Sequence, residues 1–147
     1  MVQSLIPYTH LAQYYETDQM GIIHHSNYIR WFEEARSDLL DQLHFGYNVM
    51  EKKGVMIPVT EVTCTYKSMV HYNDSVYILP KITEFNGIRL TISYEIIDTN
   101  TKELRAQGTS SHCFLSRQQK IISIKKKHPE IFAIFEQILQ QNLFFNN

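Results

Sequence analysis

The run from Tyr28 to Leu43 constrains what this chain can fold into more than any other feature. At 100° per residue, Tyr28, Phe32, Ala35, Leu39 and Leu43 fall on one narrow stripe of a helix. Trp31, Ile29 and Leu40 widen that stripe on either side. An apolar arc this wide needs more than one neighbour to cover it, so the helix belongs inside the molecule. Arg36 projects within the same arc. A guanidinium keeps its charge, so burial demands a partner, and Glu33 stands one turn earlier on the same helix. The alternative is a stem that runs out along the apolar surface to water. Just ahead of the run, Ser26 or Asn27 offers a side-chain oxygen to cap the first turn.

The flanking sequence supplies a cover. Upstream, His10 to Glu16 reads as a strand, followed by a polar loop from Thr17 to Asn27. Downstream, Tyr47 to Lys53 reads as a short turn and helix. Four segments of strand character follow: Met56–Lys67, Ser75–Glu84, Arg89–Asp98 and Glu103–Leu115. Asn86-Gly87 between the second and third is a strong hairpin signal. Lys120–Ile124 adds a short edge strand, and His128-Pro129-Glu130 opens a last helix from Ile131 to about Gln141. A strand, a buried helix, an antiparallel meander and a terminal helix make an α+β class, with a curved sheet wrapped around the long helix. With 147 residues, no repeat and no Gly/Ser linker, residues 1–147 are expected to form a single domain.

Composition removes several classes of function. Fourteen basic and fifteen acidic side chains leave a net charge of -1, which argues against a nucleic-acid partner. No apolar stretch approaches the about 18 residues of a membrane span, and Met1 to Pro7 lacks the basic start of a secretion signal. Cys64 and Cys113 are too few and too far apart for a disulfide framework. A cytoplasmic protein is expected. Phosphate-binding glycine loops, a GxSxG elbow, HExxH and paired CxxC motifs are all absent. The adjacent His24 and His25 suit a shared metal poorly, so neither metal nor cofactor is expected. His112 and Cys113 point to opposite faces of a strand, which makes Cys113 a small core residue rather than an activated thiol.

Chemistry concentrates between Tyr14 and Arg36. Asp18, Gly21, His25 and Asn27 crowd the approach to the buried helix. Unpaired amides at a helix start stabilise an oxyanion, and a glycine lets backbone approach a ligand closely. Asp18 adds a carboxylate at the same point. Asp, Gly, Ser and Asn are also ordinary loop and cap residues, so chemistry alone leaves both readings open.

Asp18-x-x-Gly21-x-x-x-His25-x-Asn27-Tyr28, followed by Trp31-Phe32-Glu33 and Ala35-Arg36, resembles the signature of the hotdog-fold acyl-CoA thioesterases. It is most similar to their 4-hydroxybenzoyl-CoA thioesterase and YbgC-like branch. The resemblance implies a five- or six-stranded antiparallel sheet around the long helix, and a homodimer or homotetramer with active sites between subunits. It implies an acyl-CoA substrate, Asp18 as the catalytic carboxylate, and the amide of His25 polarising the thioester carbonyl, with its side chain assisting. Gly21 and Asn27 are expected beside the substrate, and Glu33 and Arg36 in a supporting role. Lys67 is expected to meet a coenzyme A phosphate, with Lys125-Lys126-Lys127 as a second candidate. Ser68 departs from a stretch that commonly carries proline. An acyl-ACP thioesterase and a non-catalytic acyl-CoA-binding protein are the alternatives. Hotdog dehydratases and hydratases use motifs that this chain lacks.

Overall fold

A computed structural model describes residues 4–144. Its elements are β1 (Tyr8–Leu11), α1 (Ser26–Gln42), α2 (Tyr47–Lys52), β2 (Val59–Tyr66), β3 (Ser75–Phe85), β4 (Arg89–Asp98), β5 (Leu104–Cys113), α3 (Ile124–Lys127) and α4 (Pro129–Ile138). The five strands form one antiparallel sheet in the order β1-β3-β4-β5-β2. This is the hotdog arrangement, with α1 as the filling.

Helix α1 buries Tyr28, Trp31, Phe32, Ala35, Arg36, Leu39 and Leu40. Alternation along β3 and β4 supplies the opposing wall: Val76, Ile78 and Ile82 on one strand, Leu90, Ile92, Tyr94 and Ile96 on the other. Phe32 stacks on Tyr94 with ring centroids 4.4 Å apart. Gly108 of β5 makes room for this, since a Cβ there would lie 2.2 Å from Thr63 O and 2.7 Å from the Phe32 ring. Helix α4 closes one end of the core, where Phe85, Phe114 and Phe135 meet edge to face or tilted. Cutting any of these large side chains to alanine costs about 3–5 kcal/mol.

Several expectations need correction. The first strand ends at Leu11, and Tyr14–Glu16 is a turn of 3-10 helix, because Glu16 must swing inward to meet Trp31. Helix α1 starts at Ser26, and neither Ser26 nor Asn27 caps it. His25 holds the cap position without a side-chain bond, and Ser26 N donates to His24 Nδ1 instead (3.1 Å). Lys120–Ile124 is not a strand: Ile121 makes one isolated bridge to Leu115, and Ile124 already begins α3. Ile29, counted in the stripe, is 40% exposed. Its natural cover is β2, an edge strand on which every residue but Cys64 is exposed.

Candidate active site

The loop between the 3-10 turn and α1 is built from its own hydrogen bonds. Asp18 N donates to Ile22 O (2.8 Å) and Gly21 N to Asp18 O (3.0 Å), while Met20 N donates to the Asp18 carboxylate at Oδ1 (2.8 Å). Gly21 sits at φ +81°, where a side chain is strained, although a Cβ there would touch nothing within 4 Å. Its conformation, not a close approach, calls for glycine. Ile23 N donates to Val70 O (2.9 Å), which ties the loop to the segment before β3.

Beyond the loop, the chain turns into α1 at His25. Among the described residues the His25 amide has no hydrogen-bond acceptor. Its carbonyl accepts from Tyr66 Oη (2.9 Å), so the end of β2 holds the start of the helix. The His25 ring lies exposed, stacked on His24 at 4.1 Å. Burial, then the neighbouring Cys64, push the Tyr66 phenol up to about 12, so it stays a donor throughout the neutral range.

Asp18, His25 and Lys67 line one cavity of about 350 Å³. Met20, Ile22, Ile23, Tyr28 and Met69 form its apolar walls, and Tyr66 completes the lining beside Ser68. Ser68 is itself tied in place, donating to Leu104 O (3.1 Å) and accepting from Arg105 (3.1 Å). The arrangement brings Asp18 to one apolar-walled cleft with His25, the helix-start residue whose amide has no acceptor among the described residues. That combination can polarise a carbonyl and deliver a nucleophile to it.

A family model described as thioesterase-like superfamily matches residues 13–140. The chain belongs to that superfamily. Thioester hydrolysis is the class of activity this membership carries. YneP of Bacillus subtilis, provisionally named an acyl-CoA thioesterase, is 36% identical over 126 residues, 85% of this chain and 91% of YneP. YbgC of Escherichia coli O6:H1, named an acyl-CoA thioester hydrolase, is 29% identical over 86 residues, 58% of this chain and 64% of YbgC. Among solved structures, the DHNA-CoA thioesterase of Staphylococcus aureus superposes with a TM-score of 0.85 at 30% identity, covering 90% of this chain and 89% of that one.

Within this thioesterase-family fold, the other expected residues lie outside the cleft. Asn27 faces a neighbouring cavity, where its Nδ2 donates to Glu16 O (2.8 Å). Glu33 and Arg36 line a third cavity of about 230 Å³ under β2, with Phe32, Val59, Val62 and Ser110. Arg36 is buried, but its main partners are phenols: Nε donates to Tyr47 Oη (2.9 Å) and Nη1 to Tyr94 Oη (3.0 Å), while Glu33 stands 3.8 Å away. Tyr94 and Ser110 share a 2.6 Å hydrogen bond, and Ser110 reaches His112 Nε2 at 2.7 Å. Lys125, Lys126 and Lys127 form α3 beside the β3–β4 hairpin, at the end of the sheet opposite Asp18.

Two residues carry contacts to which the sequence assigns no role. Tyr66 sits on a strand where alternation alone gives it no role. Glu16 reads as the end of a strand, yet it is 7% exposed and fully engaged by hydrogen bonds.

Proposed function

We propose that this protein hydrolyses acyl-CoA thioesters, with Asp18 as the reacting carboxylate and the His25 amide as the oxyanion donor. The observation that carries this reading is the meeting at one apolar-walled cleft of Asp18 and His25, whose amide has no acceptor among the described residues. A thioester carbonyl seated against that amide becomes more electrophilic, and the thiolate of coenzyme A leaves readily. Asp18 acts in one of two ways. As a base it takes a proton from water, whose oxygen attacks the carbonyl and displaces the thiolate. As a nucleophile it forms a mixed anhydride that water then cleaves. Either way, one water is consumed and a carboxylic acid and a free thiol are released. Neither route calls for a cofactor. Lys67, at the cleft's rim, is the candidate partner for a coenzyme A phosphate.

A complete site requires a second copy. Among the described residues strand β2 is paired only to β5, and Val59, Val62 and Ile29 leave an apolar strip exposed beside it (47%, 37% and 40%). Pairing two β2 edges covers that strip and brings a neighbouring chain to the cleft, giving a dimer or a dimer of dimers. Light scattering at working concentration should therefore give at least twice the chain mass. Cys64 and Cys113 are not joined to each other, and no described helix is long and apolar enough to cross a membrane; we place the protein in the cytoplasm.

The decisive experiment is a panel of short, medium, long and aromatic acyl-CoAs followed by thiol release, with Asp18→Asn as control and matched acyl-ACP thioesters alongside. Hydrolysis of CoA esters that is lost in the variant supports the reading. Binding without hydrolysis refutes it, and faster turnover of ACP esters reassigns the carrier. Single-turnover hydrolysis in oxygen-18 water then separates the routes: label in the protein marks the anhydride, label only in the acid marks activated water.

A further inference from the structure

Glu16 lies on the far side of the loop from the cleft, and its bonds reach four separate stretches of chain. Its Oε1 accepts from Gln13 N (2.9 Å) and lies 2.8 Å from His10 Nε2, which must donate because an ionised carboxylate only accepts. Its Oε2 accepts from Trp31 Nε1 (2.8 Å), one turn into α1. The Glu16 carbonyl accepts from His24 N and from Asn27 Nδ2, both at 2.8 Å. One residue thus joins β1, the 3-10 turn, the segment just before His25 and the first turns of α1. Burial opposes the carboxylate's charge, yet the bonds from His10, Gln13 and Trp31 together hold its pKa below the usual carboxylate range. A buried carboxylate with every oxygen engaged is a rigid joint. Asp18 follows it by two residues on one arm of that joint, and His25 follows His24 on the other.

We propose that Glu16 is a positioning residue: it fixes the distance and angle between the Asp18 carboxylate and the His25 amide without touching substrate. The inference rests on Asp18 and His25 being the reacting pair. Misplacing reacting groups by about 1 Å costs on the order of a hundredfold in rate, so a loosened joint should appear in kcat before it appears in binding. Asn27 acquires a role in the same way, as a tether of the joint rather than a substrate contact.

Trp31 is the only tryptophan in the chain, so its emission reports on this joint directly. In Glu16→Gln the amide NH2 must face donors where a carboxylate accepted. We expect kcat to fall by about 10- to 100-fold while KM stays within about twofold, together with a shift in Trp31 emission. Trp31→Phe removes one donor and also shrinks a fully buried side chain, so kcat is read per folded molecule and should fall in the same sense by about threefold. This second variant decides the matter if Glu16→Gln does not fold. Wild-type kcat in a folded variant overturns the proposal, as does a loss confined to KM. Asp18→Asn run in parallel keeps the two readings apart. If it retains activity, the assignment of the reacting pair fails. If it is inactive while Glu16→Gln is unimpaired, only the positioning role fails.

Discussion

Helix α1 carries a polar cluster at its start and another near its middle, and the two are built in opposite ways. At the start, Asp18 gives one oxygen to Met20 N, the His25 amide has no acceptor among the described residues, and the cleft between them is open. Near the middle, Arg36, Tyr47, Tyr94, Ser110 and His112 form a chain of hydrogen bonds that is closed to solvent at Tyr94, Ser110 and His112. Spare donors and acceptors are what a reaction needs; paired ones are what a core needs, and the middle chain is paired at every link up to His112, whose buried Nδ1 alone in it lacks a partner among the described residues. The contrast assigns chemistry to the start of the helix and stability to its middle, although both clusters carry residues of the same signature.

Substituting one residue in each cluster gives the largest effects and should give opposite signatures. Asp18→Asn keeps the acceptor for Met20 N, so its Tm should stay within about 2 °C of wild type while kcat falls by about 10²- to 10⁴-fold. Arg36→Met leaves the buried Tyr94 phenol and the half-buried Tyr47 phenol short of a donor and should cost about 1–3 kcal/mol of stability, read by denaturant unfolding. Activity per folded molecule should stay within about threefold of wild type. A large kcat loss in fully folded Arg36→Met breaks the division.

Part of this was legible in sequence because it is local. A stripe at helical spacing reports its own burial, and a loop that bonds to itself keeps its candidate residues within one short segment. Arg36 shows where such reading stops. Its burial follows from its place in the arc, but its partners come from positions 47 and 94, and no spacing rule links those to a helix at 36. Ile29 failed for the converse reason: its place in the arc is right, but the strand that should cover it is an unpaired edge. Glu16 was hidden because acidic residues seldom lie buried, and its burial depends on donors from three other places in the chain.

The middle cluster also sets a pH limit. Burial, reinforced by the Arg36 charge, pushes the His112 imidazole down to about 4, against an ordinary value near 6.5. Between those values the unfolded chain binds a proton that the folded one refuses. Stability is therefore complete above about 6.5 and declines as pH falls toward 4, by at most about 1.4 kcal/mol per pH unit. Glu16 and Asp98, both held below the usual range, add their losses only at still lower pH. His112→Gln should flatten the Tm profile between pH 6.5 and 4 relative to wild type, and an unchanged slope assigns the acid sensitivity elsewhere.

Tyr66 offers the smallest and sharpest test, because it belongs to the reactive end yet is bonded as the middle cluster is. Its hydroxyl donates to the His25 carbonyl, on the same residue whose amide is left for substrate. Its ring stands edge-on to Tyr28 at 4.9 Å, a contact that phenylalanine keeps. Tyr66→Phe thus removes one hydrogen bond, worth about 0.5–1.5 kcal/mol. If that bond only steadies β2, the loss appears in Tm and not in kcat. If it aims the helix start, kcat should fall by about 2- to 10-fold at unchanged KM, the same free energy spent in the transition state. With the phenol's pKa raised to about 12, the bond does not titrate in any ordinary assay. The kcat deficit should therefore be constant from neutral pH to about 10, and a deficit that varies across that range would point to a group other than Tyr66.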